Sequence, residues 1–140
     1  MSAVLVDSNV LLDVLTGDPA WADWSEQALA AAADSHRLVI NAIVYAEISV
    51  RFSRIEDLED ALPVVFIERE AIPFEAAFLA AKAFVTYRRR GGAHSAPLPD
   101  FFIGAHAAVA GYTLLTRDRA RYRSYFPRLP LIVPPRRGVP

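Results

Sequence analysis

Short, continuously apolar runs alternate with amphipathic stretches along most of this chain. Ala3 to Val6 is apolar throughout and ends at Asp7, the pattern of a strand buried on both faces. Val10, Leu11 and Val14 then share one side of a short helix that Ser8 or Asn9 can cap. Asp18-Pro19 opens an alanine-rich helix to about Asp34, with Trp21, Trp24 and Leu29 as its packing residues. Leu38-Val39-Ile40 repeats the buried-strand pattern, and Asn41 can cap a third helix that carries Tyr45, Glu47 and Ile48 to about Phe52. Ile55 to Leu62 reads as a short acidic helix with Glu56, Asp57, Glu59 and Asp60 in water. Val64 to Ile67 is a strand or a loop, since Pro63 cannot donate to a ladder.

The second half continues the alternation. Pro73 opens a long helix through Ala76, Leu79, Ala83 and Val85 to Arg90, where Gly91-Gly92 stops it. Gly91 to Pro97 is the one interior segment with the composition of a flexible loop. Pro99-Asp100 begins a helix that ends at Gly111, and Tyr112 to Leu115 is the next strand. Thr116-Arg117-Asp118 is a turn, Arg119 to Tyr125 a short helix, and Leu131 to Val133 a last strand before a Pro/Arg-rich tail. Strands alternating with helices predict an α/β fold, a short parallel sheet flanked by helices on both faces. One domain over residues 1–134, with 135–140 as tail, accounts for the whole pattern.

Composition narrows the chemistry. At 140 residues, 54% hydrophobic and 22% charged, the chain can bury a core and is not of disordered composition. It has no cysteine, so disulfides, thiolate zinc sites and cysteine nucleophiles are excluded. No apolar run approaches the roughly 20 residues of a membrane span, and no basic region precedes the first apolar stretch. A cytoplasmic protein is the expectation. The net charge of −1 at first argues against a polyanionic partner. It is a cancellation. Residues 1–87 carry 14 acids against 5 bases, and residues 88–140 carry 10 arginines against Asp100 and Asp118 alone.

The acids fall at telling places. In open parallel sheets, ligands bind beyond the carboxyl ends of strands, near the point where strand order reverses. Asp7 directly follows the first strand, and Asp118 lies three residues past Leu115. Glu47 is about two turns into the helix after Leu38–Ile40, so its side chain can point back over the same edge. Asp100 opens the helix that leads into the strand before Asp118. Asp7, Asp100 and Asp118 also suit simple helix N-caps. Glu47, set amid Val44, Tyr45, Ala46, Ile48 and Val50, is either on a thin solvent stripe or committed to a partner. Four carboxylates gathered without a cation would raise one another's pKa. A hard divalent ion, Mg²⁺ or Mn²⁺, resolves this with oxygen ligands and water. Zinc fits poorly, because thiols are lacking and His36, His94 and His106 show no ligand spacing.

Four motifs stand in order: Val-Leu-Val-Asp7-Ser8-Asn9-Val-Leu-Leu-Asp13, Asn41-Ala-Ile-Val-Tyr-Ala-Glu47-Ile, Leu98-Pro-Asp100-Phe-Phe-Ile-Gly-Ala-His and Leu115-Thr116-Arg-Asp118. Together they resemble the successive motifs of PIN-domain proteins, and most closely the VapC-type toxins of prokaryotic toxin–antitoxin pairs. The resemblance runs from Met1 to about Pro134, with no motif matched between Ile55 and Pro73. It implies an RNA endonuclease dependent on Mg²⁺ or Mn²⁺, with Asp7, Glu47, Asp100 and Asp118 as the catalytic, metal-holding acids. Thr116 would order that pocket through its hydroxyl, and Ser8 or Asn9 would cap the helix beside the metal. It also implies a small DNA-binding antitoxin whose C-terminal segment covers the acidic groove. A homodimer would form through apolar helix faces, for which Phe74, Phe78, Phe84 and Tyr45 are candidates, with core packing the equal alternative.

The remaining charged residues divide between packing and RNA. Arg88-Arg89-Arg90 suits the carboxyl end of a helix dipole, yet leads into the loop before Asp100 and is a candidate for RNA phosphate. Arg117, Arg119, Arg121 and Arg123 flank Asp118, some to track phosphate and others to bond carboxylates of the N-terminal half; Arg117 is the candidate RNA contact. Asp13 is expected at the surface or behind the site, and His106, between alanines, as a packed histidine rather than a base. Three competing readings remain. A receiver-like signalling domain needs a paired acid on the first strand and a lysine after the last, and the one lysine, Lys82, lies inside a helix. A haloacid-type phosphatase needs a second Asp where Asn9 stands. An inactive PIN-like RNA-binding or scaffold protein would have no need of the intact acid set.

Overall fold

The continuously apolar runs lie side by side in one sheet. In a computed structural model, which describes residues 2–62, 67–91 and 98–136, the strands run β3-β2-β1-β4-β5 across the sheet. They are β1 (Ala3–Val6), β2 (Arg37–Ile40), β3 (Ile67–Arg69), β4 (Thr113–Leu115) and β5 (Leu131–Ile132). Every pairing is parallel, with Val4 opposite Leu38 on one side and Thr113 on the other. Val4, Leu5, Val6, Val39, Leu114 and Leu115 are wholly buried. That burial on both faces is why these strands read as unbroken apolar runs rather than as alternation.

Among the described residues seven helices surround the sheet: α1 (Ser8–Thr16), α2 (Ala22–Ser35), α3 (Ala42–Ser49), α4 (Ile55–Ala61), α5 (Phe74–Arg89), α6 (Leu98–Ala110) and α7 (Arg119–Tyr125). α1 packs on α2 and α3, while α5, α6 and α7 pack on one another. The right-handed crossover that parallel strands favour would put the helices after β1 and β2 on one face and those after β3 and β4 on the other, with α3 also meeting α6. Among the described residues no helix is long and apolar enough to cross a membrane. The chain leaves β1 through β2 to β3, then returns to β4 on the other flank of β1. Strand order therefore reverses at β1, and in open parallel sheets ligands bind beyond the carboxyl ends of the strands at such a point, here β1 and β4. The backbone ties that edge together: Asp7 N–H donates to Leu115 O at 2.9 Å, and Thr116 N–H to Ile132 O at 3.0 Å.

Several boundaries differ from the sequence-based expectation, each for a local reason. Asp7, rather than Ser8 or Asn9, is the N-cap of α1, and its carboxylate accepts from Ser8 N–H. Asp18 does not start α2. Its side chain caps a separate turn by accepting from Ala20 and Trp21 N–H, and the helix begins at Ala22. α3 stops at Ser49, short of Phe52. α6 starts at Leu98, so Pro99 and Asp100 lie inside its first turn, where a missing proline N–H costs no helical bond. β3 begins at Ile67, the last residue of the predicted strand, and residues 63–66 lie outside the described ones. The predicted loop after Gly91 and the last four residues of the tail also lie outside them. β5 ends at Ile132, one residue early.

Between α5, α6 and α7 the core is aromatic. Phe101 stacks on Tyr125 with centroids 4.0 Å apart and meets Phe84 edge-on at 5.4 Å. Phe126 closes this cluster over Gly104, and a Cβ at Gly104 would stand 2.4 Å from Phe126 Cε2. Gly104→Ala is therefore expected to overpack the core and destabilise the fold by about 1–3 kcal/mol. Urea unfolding checks this, and Gly104→Ala with Phe126→Leu should recover part of the loss; a neutral Gly104→Ala would contradict the close approach.

Candidate active site

Asp7 follows β1 directly, so its carboxylate sits at the strand edge with its backbone held by β4. Oδ1 accepts from Ser8 N–H at 2.8 Å and Oδ2 from the Thr116 hydroxyl at 2.7 Å. Thr116, the residue after β4, is buried and serves as a hub. Its Oγ1 also accepts from Asp118 N–H at 3.1 Å and from Asn9 Nδ2 at 3.3 Å. Asn9 Oδ1 in turn accepts from Arg117 N–H. Ser8, in the first turn of α1, donates to Glu47 Oε1 at 2.9 Å and so brings the α3 carboxylate to the same edge.

Asp100 and Asp118 meet across Arg121. Asp118 caps α7, accepting from Arg121 N–H at 3.1 Å. The Arg121 side chain then turns back, with Nη1 2.6 Å from Asp100 Oδ2 and Nε 3.1 Å from Asp118 Oδ2. Beneath them lies a group that the residue pattern alone does not single out. Tyr122 is wholly buried, and its hydroxyl stands close to Asp7 without hydrogen-bonding geometry to any described partner. A signal does exist in the spacing: residue 122 is one helical turn past the capping Asp118, on the side of α7 that must face the core. Burial, with the nearby carboxylates of Asp7 and Asp100, pushes this phenol well above its ordinary value.

Other candidate residues have different company. Arg117 grips Asp13 with two bonds, Nε to Oδ2 at 2.6 Å and Nη2 to Oδ1 at 3.0 Å, and lies over the Trp21 ring. Ser25 donates to the same Asp13 carboxylate at 2.6 Å. Asp13 is thus buried behind the site, not at the surface, and Arg117 is committed to it rather than turned toward a phosphate. Arg119 and Arg123 donate to the backbone carbonyls of Pro134 and Leu129. Arg88, Arg89 and Arg90 are exposed at the end of α5. His106 is wholly buried. Asn41 Oδ1 caps α3, so its Nδ2 faces His106 Nδ1 at 3.0 Å, which leaves the ring proton on Nε2, 3.5 Å from Glu70 Oε1. Burial lowers the His106 pKa and keeps the ring neutral.

The candidate donors are hard oxygens from carboxylates and hydroxyls, the set that suits Mg²⁺ or Mn²⁺. Among the described residues, however, no three acidic or histidine side chains stand close enough together to grip one ion. The four acids share an edge but are linked in two pairs, through Ser8 and Thr116 on one side and through Arg121 on the other.

The sequence profile of the PIN domain matches residues 4–126. The chain belongs to the PIN domain family. No curated protein matches it. Among solved structures, this PIN domain resembles VapBC2 of Rickettsia felis bound to a promoter DNA fragment, at TM-score 0.74 and 18% identity over 94% of this chain and 98% of that one. DNA-bound VapBC of Salmonella typhimurium aligns at TM-score 0.72 and 16% identity, covering 95% and 98%. FitAcB of Neisseria gonorrhoeae aligns at 0.66 and 18%, covering 91% and 95%.

The electrostatics of the PIN domain edge give a test. Burial chiefly, then Asp100 and Glu47, raise Asp7 from 3.8 to about 6 despite the Thr116 and Ser8 bonds. Burial raises Glu47 and Asp100 as well. Folding therefore takes up protons between these pH values. The resulting stability is fully present below 3.8 and is lost as pH rises through about 6. Asp7→Asn removes the ionisable group, so in chelator at pH 8 it should be more stable than the wild type, by up to about 3 kcal/mol. The gain should fade toward pH 4 in thermal melts; a pH-independent difference would contradict the raised pKa.

Proposed function

We propose that this PIN domain is a metal-dependent RNA endonuclease acting as the toxin of a toxin–antitoxin pair. The observation that carries the reading is the placement of Asp7, Glu47, Asp100 and Asp118 at one sheet edge, where strand order reverses, linked by Ser8, Thr116 and Arg121. Asp7, Asp100, Glu47 and Asp118 would hold Mg²⁺ or Mn²⁺. When bound, the ion supplies a water of lowered pKa and shields charge on the phosphodiester. The chain's own groups supply position. Thr116 holds Asp7 and the Asp118 backbone together, Ser8 aims Glu47, and Asn9 locks the turn that carries both Thr116 and Asp118. Buried carboxylates with raised pKa favour added positive charge at this edge, as such a reaction requires.

Charge and the similar structures support the substrate and partner of this reading. Arg88, Arg89 and Arg90 offer exposed cations for RNA phosphate in an otherwise strongly basic C-terminal part. Two of the similar structures are VapBC complexes on DNA, which supports a small DNA-binding antitoxin as the partner of this chain. A homodimer through α5 is part of the same reading. Phe74 and Phe78 are 91% and 66% exposed there, one turn apart. Phe84 and Tyr45 are committed elsewhere, Phe84 to Phe101 and the Tyr45 hydroxyl to Glu59.

Structured RNA incubated with the purified chain should be cleaved with Mg²⁺ and left intact in chelator, and Asp100→Asn should slow cleavage on the order of a hundredfold. Cleavage without metal, or equal cleavage by the variant, would refute the reading. For RNA binding measured with Ca²⁺ across a salt series, Arg88→Glu with Arg90→Glu should flatten the salt slope by about 1 for each phosphate no longer neutralised. An unchanged slope would remove these arginines from the interface.

A further inference from the structure

We propose that Arg121 is a built-in guanidinium counter-ion, which a divalent cation must displace from Asp100 and Asp118, so that this residue sets the metal affinity of the site. The inference rests on the metal-dependent reading above and adds a residue to it.

Arg121 stands where a cation would be expected to bridge. Its Nη1 lies 2.6 Å from Asp100 Oδ2 and its Nε 3.1 Å from Asp118 Oδ2, so one guanidinium joins carboxylates from α6 and from the cap of α7. The Asp100 side chain is only 9% exposed, and an unpaired carboxylate there would be costly. Arg121 meets that cost with a single positive charge shared by two acids, while Glu47 also lies within its field. With the guanidinium in place, no three acidic or histidine side chains among the described residues converge on one point. A divalent ion carries twice the charge and accepts several oxygens at once, so it competes for the same two carboxylates.

The geometry also provides an exit. The Arg121 side chain is 41% exposed, so it can swing into water once a cation takes its place beside the buried Asp100 carboxylate. Arg117, four residues earlier, is a useful contrast. It makes two bonds to Asp13, whose side chain is 3% exposed, and is covered by Trp21. Removing Arg117 would strand a buried carboxylate with no cation to replace it, whereas Arg121 holds acids that a metal can satisfy instead. Two arginines in one turn thus do opposite things: Arg117 is a permanent tie and Arg121 an exchangeable one.

The test measures Mn²⁺ affinity on the whole chain, from the electron paramagnetic resonance signal of free Mn²⁺, for the wild type, Arg121→Gln and Arg121→Lys. Circular dichroism establishes that each variant is folded, and Arg121→Lys keeps charge and bulk should the glutamine variant prove unstable. Arg121→Gln should bind Mn²⁺ about tenfold tighter than the wild type, with Arg121→Lys between them. In chelator the glutamine variant should melt below the wild type, and Mn²⁺ should raise its melting temperature by more. Equal or weaker Mn²⁺ binding by the folded variants would overturn the proposal, because a merely structural Arg121 would disorder the site on removal. Absence of Mn²⁺ binding in wild type and variants alike would overturn the metal-dependent reading itself.

Discussion

Carboxylates taken out of water at a sheet edge are costly to ionise, and the neighbourhood of that edge is built around that cost. Asp7 sits at the end of the central strand, where burial above all drives its pKa to about 6. Two kinds of group answer the resulting stress. Donors from backbone and hydroxyl, Ser8 N–H and Thr116, bond the Asp7 carboxylate and partly restore its charged form. A guanidinium, Arg121, partners Asp100 and Asp118. The Ser8 hydroxyl likewise donates to Glu47 and favours its charged form. A fold with no use for positive charge at this edge would be more stable with neutral residues there, which is why the acids read as function rather than architecture.

The sheet makes this placement inexpensive in chain length. Each strand is four residues or fewer, and the two that carry the site, β1 and β4, are direct neighbours. The residue after each strand, Asp7 and Thr116, therefore arrives at the same edge, and one hydrogen bond joins positions 109 residues apart in sequence. The bond from Asp7 N–H to Leu115 O continues the ladder one step past β1 and fixes the carboxylate's direction. Behind it, the Asp13–Arg117 pair and the Trp21 ring anchor the turn after β4 from the opposite side. The site is thus held by rigid backbone at its front and by a buried ion pair at its rear.

Much of this is legible residue by residue. Unbroken apolar runs at Ala3–Val6 and Leu38–Ile40 identify buried parallel strands, because only strands covered on both faces lose their polar alternation. Asn41 is legible as a cap, since its side chain competes for the first N–H groups of a helix, and the structure shows it accepting from Ile43 and Val44. The start of α2 is not legible in the same way, because Asp18 caps a turn of its own, a local choice that short polar side chains make without reference to the next helix. Ser8 and Asn9 look like caps in the sequence, but Asp7 does that job while also bonding Thr116 across the sheet edge. His106 reads as packed and is packed, and only its bond to Asn41 shows which nitrogen carries the proton.

The sequence by itself determined the alternation of strands and helices, the supply of three acids at strand ends or helix starts with Glu47 further along α3, and the split between an acidic and an arginine-rich half. These are properties of periodicity and local chemistry, which need no knowledge of distant neighbours. Tertiary structure alone decided how the charges pair. That Arg117 belongs to Asp13, that Arg121 reaches Asp100 besides its near neighbour Asp118, and that Tyr122 lies near Asp7, follows from which elements the sheet order brings together. Side-chain pairing depends on separations of a few ångströms between residues far apart in the chain, and no local pattern encodes them.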